Sequence, residues 1–437
     1  MFTDASQHRR HLLYGLLLLL TASSLWLAAI WITTQRSLRP IRQPLPQDPY
    51  VQAYFNQSQA SVYTDSYRNI ERHGDDLEQV ITTAIDQANA SVEIAVQAFE
   101  LPLIAQALVR AAQRGITVRL ALENEYANEP NEAIAALRST GIPIIDDTAD
   151  GSKGSGLMHH KFIVIDGRWV ITGTANFTYS GIHGDLIEPT SRGNANALLK
   201  IDSTAIAAQF LSEFNQLWGD GPAGKSDSKF GIHKRTFEAQ RTQLPTGPIT
   251  LQFSPTSATR PWESSTSGLI ARQLSQSQRS IDLALFVFSD QRIANQIQAQ
   301  TTKGIRIRTL VESTFIYRNY SEALDMLGIA LPSHRCKIEQ GNQPWPSPIS
   351  TVGFPQLPPG DKLHHKFAIL DNKAVIIGSH NWSQAANTQN DEALLIIENA
   401  TVAAHFQREF ERLYEQAEEG HTPKLRREIQ KAEQRCR

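Results

Sequence analysis

The sequence predicts an α/β protein built by internal duplication, two related halves standing behind one N-terminal membrane-spanning helix. Three observations predict it. Segments of strand, helix and strand occur twice, Ser91 and Ser280, Gly115 and Gly304, and Glu123 and Glu312 all standing 189 residues apart. One offset shared by three landmarks marks a duplication. An 18-residue motif recurs near the end of each half, at 159–176 and 364–381. Ahead of both lies an uncharged, proline-free apolar run at 12–32.

The elements follow in chain order. The 21 residues of the apolar run are enough to cross a bilayer core as a helix. Arg9 and Arg10 precede it, as in a signal sequence. The run continues through Trp26 and Trp31, longer than a cleavable signal, so it reads as an uncleaved anchor (1–35). Arginines flank both ends, so charge does not fix the orientation. A short leader before a long folded part places the folded domain on the extracytoplasmic side. A proline-rich, extended spacer follows at 36–49.

The first half (50–218) opens with a helix at 75–90. A buried strand at 91–99, an amphipathic helix at 101–115 closed by Gly115, and a strand at 116–123 come next. A linker (219–249) leads to the second half (250–415), with a strand at 280–288, a helix at 291–304 and a strand at 305–312. Strand, helix, strand implies a parallel β-α-β unit. The halves differ in their middles: 44 residues separate Gly115 from His159, and 60 separate Gly304 from His364. The extra length is an irregular loop at 337–362. Its Trp345, Pro346, Phe354 and Pro355 suit either a lid or a segment dipping into a lipid interface. A basic tail (416–437) reads as a solvated helix or a lipid contact.

Composition is that of a globular protein, with 41% apolar and 20% charged residues. A net charge of −2 argues against a general nucleic-acid coat. Two cysteines, Cys336 and Cys436, make no disulfide framework or metal cluster and read as free thiols. A single bridge stays open for an exported chain.

Both motifs obey His-x-Lys-x4-Asp-x6-Gly-[Ser/Thr]-x-Asn. The apolar stretches FIVI and FAIL are strands, and Asp166-Gly167 and Asp371-Asn372 are hairpin turns. A period of two puts His159 with Lys161, and His364 with Lys366, on one face. His160 and His365 face the other way, toward core. Gly173 and Gly378 let the chain turn after the return strand, bringing Thr174, Asn176, Ser379 and Asn381 near as neutral donors to substrate. Lysines and amides suit a phosphodiester that gathers negative charge at its transition state. One neutral histidine can attack phosphorus; the other, protonated, can protonate the leaving alcohol. No metal or other cofactor is needed. Asp166 and Asp371 are counted with the motif's catalytic set, although turn positions give them a hairpin-holding role.

At these residues the chain resembles the phospholipase D superfamily in its two-motif, single-chain form. The resemblance spans residues about 50 to 415. It implies a duplicated α-β-α sandwich of two pseudo-two-fold halves, acting as a monomer because both motifs share one chain. It further implies a covalent phosphohistidine, with His159 the nucleophile and His364 the acid/base. Relatives orient each histidine with an acidic residue after the motif. Glu392 stands there in the second half, beside His364's motif. The first half has Asn196 instead, after an excursion carrying His183, Asp185 and Glu188, so Asn196, Asp185 or Glu188 is expected to orient His159. Glu123 and Glu312 end equivalent strands and are candidates to line the cleft. The expected activity is hydrolysis or transfer of phospholipid head groups at a membrane. The alternatives are a membrane-tethered nuclease acting on nucleic acid, a phosphatidyltransferase like the cardiolipin synthases, which typically carry two N-terminal spans, and an inactive scaffold.

Overall fold

The computed structural model describes residues 38–221, 224 and 227–437. The expected anchor at 1–35 lies outside the described residues. Among the described residues, no helix is long and apolar enough to cross a membrane.

The first half runs β1 (Val51–Phe55), β2 (Val62–Asp65), β3 (Ile70–His73), α1 (Leu77–Asp86), β4 (Ser91–Val96), α2 (Pro102–Gln113), β5 (Thr117–Leu122), α3 (Glu132–Ser139), β6 (Ile144–Asp146), β7 (Lys161–Ile165), β8 (Trp169–Gly173), β9 (Ala197–Asp202) and α4 (Thr204–Trp218). The second runs β10 (Gln240–Leu244), β11 (Gly247–Ser254), α5 (Thr266–Ser275), β12 (Ser280–Leu285), α6 (Gln291–Thr301), β13 (Arg306–Val311), β14 (Val352–Phe354), β15 (Lys366–Leu370), β16 (Ala374–Gly378), β17 (Glu392–Ile397), α7 (Ala400–Tyr414) and α8 (Pro423–Cys436).

The duplication is visible in the sheets. The first has the order β1-β9-β8-β7-β4-β5-β6, and the second repeats it as β11-β17-β16-β15-β12-β13-β14. The second also carries β10 on one edge and Glu418–Glu419 on the other. β4 pairs parallel with β5, and β12 with β13, as a β-α-β unit requires. Local signals set the crossover helices. Pro102 opens α2, and the Asp290 side chain caps α6 by accepting from Arg292 and Ile293 N–H. Gly115 and Gly304 follow these helices with φ of +85° and +80°, a left-handed turn that suits glycine.

Each sheet buries its outer face under its own helices, α1 to α3 in the first half and α5 and α6 in the second. The inner faces share one core with α4 and α7 between them. Phe210 of α4 packs on Phe162 of its own half and Phe253 of the other, ring centroids 5.0 and 5.2 Å away. Phe406 of α7 does the same with Phe367 and Phe55, at 5.1 and 5.0 Å. The halves therefore form one body, and the loops at corresponding strand ends face each other.

Three expectations change. Cys336 and Cys436 are bonded, with Cα atoms 5.4 Å apart, so the thiols are not free. The bridge pins α8, and with it the basic tail, to the second half; Leu425 and Ala432 of that helix are buried. The loop at 337–362 is not irregular throughout, because it supplies β14. Its Trp345, Phe354 and Pro355 are buried, and only Pro346 is exposed, so three of these four side chains belong to the protein's own interior and not to a lipid interface.

Candidate active site

His159 and His364 stand just before β7 and β15, at the strand ends where the halves meet. Reciprocal backbone bonds lock the meeting. His159 N–H donates to Asp391 O at 3.0 Å, and Asp391 N–H to Leu157 O at 2.9 Å. Across the pseudo-axis, His364 N–H donates to Ala195 O at 3.1 Å, and Ala195 N–H to Lys362 O at 2.8 Å. Glu123 and Glu312 do not act as free cleft walls. Glu123 accepts from Met158 N–H at 2.6 Å and Glu312 from Leu363 N–H at 2.7 Å, each holding the residue ahead of a histidine. Burial, reinforced by Asp147, pushes Glu123 up to about 7.

The histidine partners are crossed between halves. His159 Nδ1 lies 2.7 Å from Glu392 Oε2, and His364 Nδ1 lies 2.9 Å from Asn196 Oδ1. Sequence alignment within each half put Glu392 with His364 and Asn196 with His159; the tertiary structure reverses both. The reason is geometric. Each histidine's N–H binds the carbonyl just before the other half's β17 or β9, so the next side chain on that strand reaches it. Asp185 and Glu188 take no part: they accept from Ile187 and Thr190 N–H within their own loop. His183 is paired with Glu78 at 2.9 Å.

Thr174 and Ser379 are not substrate donors here either. Thr174 Oγ accepts from Ala197 N–H and donates to Asn196 Oδ1 at 2.7 Å. Ser379 Oγ accepts from Ala393 N–H and bonds the Glu392 carboxyl. Both hydroxyls fix the histidine-orienting side chains. Glu392 Oε1 also accepts from Asn390 Nδ2 at 3.2 Å. Asn176 reaches the site through Gln97, which Lys161 also bonds, and Asn176 and Asn381 each have a buried Oδ1 without a partner.

The lysines differ in surroundings. Lys161 Nζ bonds His159 O at 2.7 Å and Gln97 Oε1 at 3.3 Å. Gln97 also accepts from Asn176 Nδ2. Lys366 Nζ bonds His364 O at 2.8 Å and lies 5.0 Å from the centroid of Phe286, whose edge meets His364. Gln97 and Phe286 stand at the duplication offset, on matching strand ends. That offset was the available signal for both, and motif reading passed over them.

Electrostatics favour neutral imidazoles. Burial, then the charges of Lys161 and Lys366, hold His159 well below its ordinary range. The same burial and the same two lysines depress His364. Burial brings Lys161 down to about 7, against the pull of Glu392 and Glu123. Burial also raises Glu392, with Lys161 opposing. With Glu392 ionised, the 2.7 Å contact requires His159's proton on Nδ1 and leaves its lone pair on Nε2.

Asp166 and Asp371 are removed from the reacting centre. They sit at the far ends of β7 and β15, with φ of +54° at each. Asp166 accepts from the backbone N–H of Asn89, Ala90 and Ser91, and Asp371 from Gln278, Arg279 and Ser280. Against the burial that would raise them, these donors keep both carboxylates below the usual range. Gly173 and Gly378 serve close approach, not a turn: a Cβ there would lie 2.2 Å from Ala197 O and 2.0 Å from Ala393 O. His160 and His365 point into the core and pair with Glu213 and Glu409, each at 2.9 Å. The linker adds Lys234, buried between Glu213 of the first half and Asp391 of the second.

A family model described as cardiolipin synthase, phospholipase D-like domain, matches residues 81–218 and 270–414. The chain belongs to the phospholipase D superfamily. Curated relatives named mitochondrial cardiolipin hydrolase match one stretch. That of Xenopus laevis is 34% identical over 131 residues, 30% of this chain and 56% of that protein. That of Homo sapiens is 31% identical over 146 residues, 33% of this chain and 52% of that protein. The chain thus spans about half the length of the curated relatives it matches. The crystal structure of phosphatidylserine synthase from Haemophilus influenzae superposes with a TM-score of 0.57 at 11% identity. It covers 86% of this chain and 88% of that one, a likeness of fold alone.

Proposed function

We propose that this superfamily member is a metal-independent phosphodiesterase acting on phospholipids, with His159 as nucleophile and His364 as acid and base. The crossed pairing carries the reading. The carboxylate of Glu392 faces His159, and His364 has a neutral amide, Asn196.

His159 Nε2 attacks phosphorus as the bond from phosphorus to the leaving oxygen breaks. His364 gives that oxygen its proton. His159 becomes a cationic phosphohistidine, and Glu392 across the Nδ1–H stabilises that charge. Neutral His364 then takes a proton from water, whose oxygen attacks phosphorus. The P–N bond breaks, releasing a phosphomonoester and restoring His159. Lys161, Lys366 and the two asparagines receive the non-bridging oxygens. His364 must be protonated at the start, although burial and the two lysines disfavour it. A bound phosphodiester anion offsets the two lysines that push its proton off, so substrate itself arms the acid.

Phospholipid is the favoured class because the relatives are named for cardiolipin. The Cys336–Cys436 bridge supports an oxidising compartment, consistent with an exported domain. The deciding assay sets phospholipid vesicles beside single-stranded DNA, in chelator, with the full chain. Lipid cleavage alone is expected. Cleavage of DNA alone, or activity abolished by chelator, overturns the proposal.

A further inference from the structure

The duplication makes the two sides of the catalytic site equivalent in backbone, but their side chains differ. Gln97 follows β4, and Phe286 follows β12 at the 189-residue offset. Gln97 N–H donates to His160 O at 3.0 Å, and Phe286 N–H to His365 O at 2.8 Å. One backbone position thus carries an amide on the first half and a phenyl ring on the second. Tyr126 and Phe315, at the same offset, repeat the contrast: a hydroxyl on the first half and none on the second.

The consequence is a polar wall beside His159 and an apolar one beside His364. On the first side, Gln97 Oε1 accepts from Lys161 Nζ at 3.3 Å and from Asn176 Nδ2 at 3.2 Å. A ring cannot accept such bonds. Among the described residues, neither Lys366 nor Asn381 has a side-chain hydrogen-bond partner, Lys366 bonding only His364 O. Phe286 instead meets His364 edge-on at 4.8 Å, takes Lys366 Nζ over its face at 5.0 Å and packs on Phe315 at 4.9 Å. Both rings stay partly exposed. Apolar surface left open beside a reacting centre gains free energy when apolar atoms of a ligand cover it.

The tautomer of His364 says which part of the ligand that is. Its Nδ1 faces Asn196, so Nε2 is the atom that meets the leaving oxygen. The carbons joined to that oxygen come to lie beside the ring that touches the same imidazole.

We propose that Phe286 and Phe315 form the leaving-group wall of the site and select a leaving alcohol with apolar carbons near the ester oxygen over one with polar groups there. The Gln97 side then takes the arm that stays on phosphorus. This rests on the reading of His364 as the acid, and not on the choice of phospholipid.

The test uses the full chain and a water-soluble mixed diester, 2-phenylethyl 2-methoxyethyl phosphate, whose two arms compete within one molecule. Each turnover releases one alcohol and leaves the other on phosphorus, so the ratio of the alcohols reports orientation alone. The wild type is expected to release 2-phenylethanol in about tenfold excess, the scale of about 60 Å² of apolar surface leaving water. Phe286→Gln, which copies the first-half residue, is expected to bring the ratio near one, and Phe286→Leu to keep most of it. A ring that only supports His364 would change the rate and leave the ratio alone, and that result overturns the wall. An excess of 2-methoxyethanol from the wild type also overturns it. If phospholipid vesicles are cleaved and the diester is not, the preference is refuted; if neither is cleaved, the phosphodiesterase reading itself fails. Mass spectrometry of alkali-quenched enzyme locates the phosphoryl group. Its recovery on His364 refutes the acid assignment, whereas the alcohol ratio judges the wall.

Discussion

Replacing Glu392 by Gln tests the crossed site directly. The substitution keeps an oxygen near the His159 Nδ1–H, now 2.7 Å away, and removes the charge. A hydrogen bond to a charged partner contributes about 1.5–3 kcal/mol and a neutral one about 0.5–1.5, so the lower bound on the loss is about 1–1.5 kcal/mol. The upper bound comes from Coulomb's law. A carboxylate and a cationic phosphohistidine with charges about 4 Å apart, at an effective dielectric of about 20, interact by about 4 kcal/mol. The barrier to forming phosphohistidine therefore rises enough to slow it by about tenfold to a thousandfold. The assay compares phosphodiesters whose leaving groups differ in pKa, following p-nitrophenol release before steady state. If Glu392 serves the nucleophile, the defect persists with p-nitrophenolate, which departs without a proton. Asn196→Ala acts on His364 and is expected to slow formation of the intermediate only for poor leaving groups, while phosphoenzyme accumulates with good ones. If Glu392→Gln recovers fully with p-nitrophenyl substrates, Glu392 serves the acid, and the crossed assignment is wrong.

The pH profile of kcat/KM is expected to be bell-shaped, with its acid limb well below pH 6.5, since burial and two lysines keep His159 neutral to low pH. Its alkaline limb also lies below pH 6.5, because His364, the essential acid, is depressed by the same burial and lysines in the free enzyme; substrate charge moves that limb upward in kcat. Lys161's folded value lies below its ordinary 10.5, so the folded chain holds fewer protons and this group's contribution to stability rises with pH between those values, which urea melts at a series of pH values will report. Lys234→Met leaves Glu213 and Asp391 buried without their cation, and thermal or urea melts should register a loss of about 3–5 kcal/mol. Asp166→Ala should lower stability by about 1–2 kcal/mol through its backbone donors, yet leave kcat of the folded enzyme within about twofold, since the side chain is remote from the histidines; a large fall in kcat would return Asp166 to the reacting set.

The duplication, the strand–helix–strand units and the paired motifs were legible because they are local. Periods of two and 3.6, a proline at a helix start and a glycine after a helix end leave their mark on neighbouring residues. The common offset of 189 residues then carries each element of one half onto the other, and both sheets share one strand order. The two histidines and two lysines were fixed in the same way. Their partners were not. Asn196 orients His364 from 168 residues away, and Glu392 orients His159 from 233. Alignment of one half on the other keeps each acid or amide in its own half, whereas pseudo-two-fold packing exchanges them. Trp345 and Phe354 looked like surface aromatics because their flanks are rich in proline and glycine, but only the packed core decides where an apolar ring ends up. Cys336 and Cys436, 100 residues apart, become neighbours only when α8 docks. The sequence by itself determined what the elements are and where the two paired motifs fall in them. The tertiary structure decided which group faces which, because that depends on two surfaces meeting, and no local pattern records the meeting.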